Sequence, residues 1–84
     1  MDEVWQLVYE SFENNPAHGL RSVSAMNSSR NEIQFRLQQE VSEYKTTHSS
    51  ELLDAIVADV NVCNAMGYIS NETHEKIMNI LDGF

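Results

Sequence analysis

The interruption Gly67-Tyr68-Ile69-Ser70 constrains this chain more than any other stretch, because an apolar pattern of helical period runs into it and another runs out. Before it, Leu52, Leu53, Ile56, Val57, Val60, Cys63 and Asn64 recur at the spacings of a helix that lays one broad face on a core. After it, His74, Ile77, Met78 and Leu81 carry a second stripe. Gly67 suits the left-handed position that ends a helix, since it has no Cβ to clash there. Ser70 can accept a backbone N–H as an N-cap, and Glu72 and Glu75 then sit in the first turns. Tyr68 and Ile69 are apolar anchors inside the turn, with Ile69 placed to staple against His74 or Thr73. Upstream, Ser49 or Ser50 caps the first of the two helices, and Glu51 and Asp54 fall where the helix dipole favours negative charge. The spacing predicts helices over 50–66 and 70–82, and so short a connection makes them antiparallel neighbours.

The rest of the chain supplies packing partners for that hairpin. Residues 2–13 read as a helix with Trp5, Val8, Tyr9 and Phe12 on one side, flanked by Val4 and Leu7. Its other side holds Asp2, Glu3, Gln6, Glu10 and Glu13 with no cation among them, and Trp5 is expected to anchor the core. Asn14-Asn15-Pro16 ends this helix, because proline lacks the N–H and pushes its predecessor out of the helical region. Between Pro16 and Ser29 we expect one short helix, through Leu20, Val23 and Met26, inside a long connection rich in serine. Ser29-Arg30-Asn31-Glu32 fits a capping box and predicts a new helix beginning near Arg30. Ile33, Leu37, Val41 and Tyr44 form its narrow stripe, which is expected to touch one neighbour. Phe35 points to nearly the opposite side, either beneath the 16–29 segment or toward a subunit or partner. Arg30, Arg36 and Lys45 are placed to pair with acids of neighbouring helices, and Thr46 to Ser49 end the helix in a polar turn. The expected fold is an all-α single domain over 1–84, a small helical bundle of three long helices plus a short one, with the antiparallel hairpin at its C-terminal end. Gln38 to Tyr44, through Val41-Ser42-Glu43, is similar to a short patch in type III secretion needle subunits, which are also small helical hairpins; the similarity stops there, and no expectation rests on it.

Charge narrows the function classes. Thirteen acidic and five basic residues give a formal net charge of −8, which leaves no basic surface for the phosphates of nucleic acid or anionic lipid. The natural partner is basic. One cysteine excludes an intrachain disulfide, and neither a basic-then-apolar leader nor a membrane-length apolar run occurs, so a cytoplasmic location is expected. Asn27-Ser28-Ser29 and Asn71-Glu72-Thr73 match the glycosylation pattern but read as cap chemistry in such a setting.

Searches for chemistry find no constellation. His18, His48 and His74 are dispersed and lack the spacing of a zinc site. Asp59, Asn61 and Asn64 lack the glycine and the bidentate acid of a calcium loop. Cys63 lies on the apolar arc, as a small buried hydrophobe does. The last helix carries only Lys76 against Glu72, Glu75 and Asp82, which argues against a DNA-reading helix-turn-helix. No catalytic residue, cofactor or metal is therefore expected. Asp59 stands out, since it falls at or within the apolar arc and needs a partner: Lys45, His48 or an arginine across the bundle, or else a binding surface. The expected function is that of a non-enzymatic interaction protein, a small acidic regulator, inhibitor or antitoxin- or immunity-like factor. Its partner would be a basic protein, for example one that processes nucleic acid. The alternative is a structural or assembly subunit acting through homo-oligomerisation, with a homodimer completing the core. Candidate partner-contact residues are Glu3, Glu10, Glu13, Phe35, Glu51, Asp54 and Asp59.

Overall fold

The computed structural model describes the backbone of residues 1–14 and 23–84, and the side chains of residues 1–13 and 30–84. All regular structure in these residues is helical: α1 (Asp2–Asn14), α2 (Val23–Thr47), α3 (Ser50–Ala65) and α4 (Asn71–Leu81). The helices close a ring in which α1 packs on α2, α2 on α3, α3 on α4 and α4 on α1. This is a small all-α bundle, as the sequence predicts.

Each helix turns one period-matched stripe inward. Val4, Val8 and Phe12 come from α1, Ile33, Leu37, Val41 and Tyr44 from α2, Ile56, Val60 and Cys63 from α3, and Ile77 and Leu81 from α4. Tyr68 and Ile69 cap the stack from the α3–α4 turn, and Phe12 meets Tyr68 edge to face with ring centroids 5.8 Å apart. Trp5 departs from expectation: it packs against the core but stays partly exposed, leaning on Tyr9 at 6.2 Å. The fully buried positions of α1 are instead filled by its smaller neighbours Val4 and Val8.

Two further expectations are corrected along α2. No new helix starts at Arg30; the helix is already under way at Val23. Neither glycine nor proline occurs between Val23 and Thr47, so only the weak propensities of serine and asparagine oppose its continuation. The part of the expected short helix that precedes Val23 lies outside the described residues. Nor does α2 touch a single neighbour, because cations flank its apolar stripe and reach to both sides. Arg36 pairs with Asp59 of α3, and Lys45 pairs with Asp2 of α1. Arg30 donates to the Phe12 carbonyl at the end of α1, with its guanidinium carbon 5.1 Å from the Phe12 ring centroid.

The turns follow from local chemistry. His48 takes the left-handed region at φ 53° and ends α2, its N–H bonding the Tyr44 carbonyl at 2.8 Å. Ser49 occupies the N-cap position of α3, but its side chain makes no capping bond; its own N–H donates to Thr47 Oγ1 at 3.3 Å. At the other end of α3, Gly67 sits at φ 79°, where a side chain would be strained. The Tyr68 N–H reaches the Cys63 carbonyl at 2.8 Å and the Gly67 N–H reaches that of Asn64 at 3.0 Å, the paired bonds of a Schellman ending. Ser70 then caps α4 by accepting from the Thr73 N–H at 3.1 Å. Across the hairpin, Asn64 Nδ2 donates to Asn71 Oδ1 at 2.9 Å, and His74 Nε2 lies 2.7 Å from Asn61 Oδ1. Pairs 64/71 and 61/74 share the register of helices running in opposite directions. No helix among the described residues is long and apolar enough to cross a membrane.

Candidate functional site

Two regions of the bundle carry chemistry that core packing does not require. The first is the seam of α2 with α3. Asp59 is 7% exposed and projects from the buried side of α3, one turn before Cys63. A carboxylate in that position needs a cation, and Arg36 supplies one in a two-pronged fit: Nε donates to Oδ2 at 3.0 Å and Nη2 to Oδ1 at 2.8 Å. The pairing raises the guanidinium above its ordinary value, first through the hydrogen bond and then through the charge of Asp59. The Arg36 side chain remains 54% exposed, so this pair reaches from the core to the surface. Asp59 thus takes the arginine across the bundle that its place on the apolar arc predicts.

Glu40 joins the same cluster one turn along α2 from Arg36. Its Oε1 is out of reach of solvent and has no hydrogen-bond partner. Burial, then the hydrogen bond and charge of Asp59, push the Glu40 carboxyl up to about 7, against a smaller lowering by Arg36. A protonated Glu40 can donate a hydrogen bond toward the Asp59 carboxylate. Cys63 completes the cluster, its thiol pushed up to about 12 by burial first and by Asp59 second. At neutral pH that thiol is not a nucleophile. Glu40 has the raised value of a general acid, yet the groove at this seam, about 240 Å³, is lined by Glu32, Ile33, Arg36, Val62, Met66 and Tyr68 and by neither carboxyl of the pair. The cluster reads as a buried polar network that fixes how α2 registers on α3.

The second region is the outer surface. Glu3, Glu10 and Glu13 are exposed on α1, with Glu10 accepting from Gln6 Nε2 at 3.0 Å. Glu51 and Asp54 are exposed at the start of α3. The ring does not bring these two sets together, because α1 and α3 occupy opposite corners and do not pack on each other. Between α1 and α2 the surface changes character. Phe35 is 61% exposed and Tyr9 46% exposed, and with Trp5, Asn31, Gln34 and Gln38 they line a groove of about 360 Å³. Its described lining carries no charge.

Sequence reasoning singled out Asp59, Phe35 and the acids and missed Glu40. The available signal was positional: Arg36 and Glu40 lie four residues apart at the edge of the stripe formed by Ile33, Leu37 and Val41, where a polar side chain faces a neighbouring helix. Comparison with protein-family models, with curated proteins and with solved structures finds no match.

Proposed function

We propose that this chain is a non-enzymatic interaction protein that acts by binding a basic protein partner, in the manner of a small inhibitor, regulator, antitoxin- or immunity-like factor. The observation that carries this reading is α1, whose exposed Glu3, Glu10 and Glu13 have no cation on their own helix; the one described cation paired with α1's acids, Lys45, meets Asp2. Uncancelled fields of this kind project into water and raise the rate at which a cationic surface finds its place. A nucleic-acid-processing protein, whose own binding site is basic, has the matching chemistry. Glu51 and Asp54 form a separate acidic corner, so a partner of ordinary size engages one corner or the other.

The test begins with affinity capture from the native host on the parent chain and identification of the bound protein. Association rates with that purified protein are then measured for the parent, for the triple reversal Glu3→Lys, Glu10→Lys and Glu13→Lys, and for Glu51→Lys with Asp54→Lys. The α1 reversal is expected to slow association about tenfold or more at low salt, and added salt to erase most of the difference. Equal rates for parent and α1 reversal at low salt would leave that face a solvated surface.

A further inference from the structure

We infer that Glu40 is a proton-operated latch on the α2–α3 seam: protonated, it lies against Asp59 and keeps the seam shut, and ionised, it swings out and lets water reach the buried side of α3. Asp59 is 7% exposed, and Arg36 holds both of its oxygens, at 3.0 and 2.8 Å. The guanidinium is thereby committed. Glu40 Oε1, sealed from solvent, has no donor. Glu40 as a whole is only half-buried, and its side chain is one carbon longer than that of Asp59. It is therefore the acid of the cluster that can leave.

The charges around Glu40 decide which state each pH selects. On its own helix it faces Arg36 and Glu43, and across the seam it faces Asp59, with the Cys63 thiol behind that carboxylate. Helix α1 packs on α2 as well, but its Glu3, Glu10 and Glu13 are exposed and its Asp2 is paired with Lys45, while α4 does not pack on α2. Among the described residues the cluster thus holds one cation for three acids. An uncharged Glu40 fits there, because its hydroxyl can donate toward the Asp59 carboxylate. A second carboxylate does not, since burial and like charge both oppose it, and the carboxyl is held up at about 7. The latch therefore works across neutral pH. Release moves Glu40 and leaves Arg36 in place, because the buried Asp59 loses more by giving up the guanidinium than Glu40 loses by turning to water. The groove of about 240 Å³ at this seam takes Ile33 and Arg36 from α2 and Val62 and Met66 from α3, so its width follows the latch.

Cys63 reports the state of the latch, being the one cysteine of the chain and fully buried beside Asp59. Its alkylation by iodoacetamide is followed from pH 6 to pH 8 in the parent and in Glu40→Gln, which keeps the donor and cannot ionise. The ratio of the two rates cancels the titration of the thiol itself. That ratio is expected to rise about tenfold over this range, as the ionised fraction of an acid titrating at about 7 does. Low urea separates the latch from unfolding. At pH 8 the parent rate should barely respond to it, because a swinging side chain exposes little surface, whereas alkylation through the unfolded chain would climb steeply. Circular dichroism checks that Glu40→Gln folds; should it not, the urea dependence of the parent decides alone. A ratio that stays flat with pH, a steep response to urea, or a parent that resists alkylation at pH 8 overturns the proposal.

Discussion

The two long faces of α2 treat charge and apolar surface in opposite ways. Toward α3 the helix sets Arg36 and Glu40 against the buried Asp59, placing charge where a leucine would have packed. Away from the bundle, beside α1, it holds Phe35 in water, with Trp5 and Tyr9 next to it. A chain selected for solubility and core packing alone would exchange these assignments. On the inner face the guanidinium bonds both oxygens of Asp59, and burial holds the Glu40 carboxyl up at about 7. The outer face has polar groups that can pair with themselves and aromatics that nothing described in the bundle covers. Buried charge therefore serves register here.

The largest effect is expected where the inner face is broken from its cationic side. Arg36→Ala leaves the buried Asp59 and the half-buried Glu40 with no cation, and should cost about 2 kcal/mol, or about 10 °C in thermal midpoint. Asp59→Asn should cost less, within about 1 kcal/mol, because Glu40 can then ionise and take the guanidinium four residues away on its own helix. Thermal melts of the two variants check the asymmetry; equal losses would mean that the pair acts only through its mutual attraction and that the burial of Asp59 is of no consequence.

A smaller effect follows from Glu40. Its value in the folded chain, about 7, lies above the ordinary 4.5, so the folded state holds this proton where the unfolded chain releases it. The contribution to stability is fully present below pH 4.5 and is lost as pH rises through 7. Allowing for the partial exposure of the side chain, the parent should be less stable at pH 8 than at pH 5 by on the order of 1 kcal/mol from this group. Glu40→Gln, which keeps the hydrogen-bond donor at every pH, should remove that slope. Denaturant melts at the two pH values decide it, and an unchanged slope in the variant would assign the dependence to other groups.

The smallest expected effect on the isolated fold is at the outer face. Phe35→Ser should alter the stability of dilute protein by no more than about 0.5 kcal/mol, since the ring is mostly in water already. A large loss at low concentration would place Phe35 with the core.

What could be read in advance divides along the same line. The α3–α4 hairpin was legible because Gly67 and Ser70 act through their own backbone neighbourhoods, and a Schellman ending and an N-cap need nothing from elsewhere in the chain. The start of α2 was not. Ser29 and Glu32 match a capping box, but a cap can act only where the helix begins, and the backbone was already helical six residues before Ser29. Phe35 was legible as misplaced from helical periodicity alone. The partner of Asp59 was legible as a class, a cation across the bundle, while its choice among Lys45, His48 and the arginines depends on the register of α2 on α3, which no local signal encodes. Glu40 draws its raised value almost wholly from that register: on an isolated helix it is an ordinary glutamate beside an arginine.

The contrast between the two faces can be tested in one measurement: thermal midpoints of the parent, Arg36→Ala and Phe35→Lys at low micromolar protein concentration. The account predicts that Arg36→Ala melts about 10 °C below the parent, while Phe35→Lys stays within about 3 °C of it because the ring is already mostly in water. Equal losses in the two variants, or a larger loss in Phe35→Lys, would contradict it.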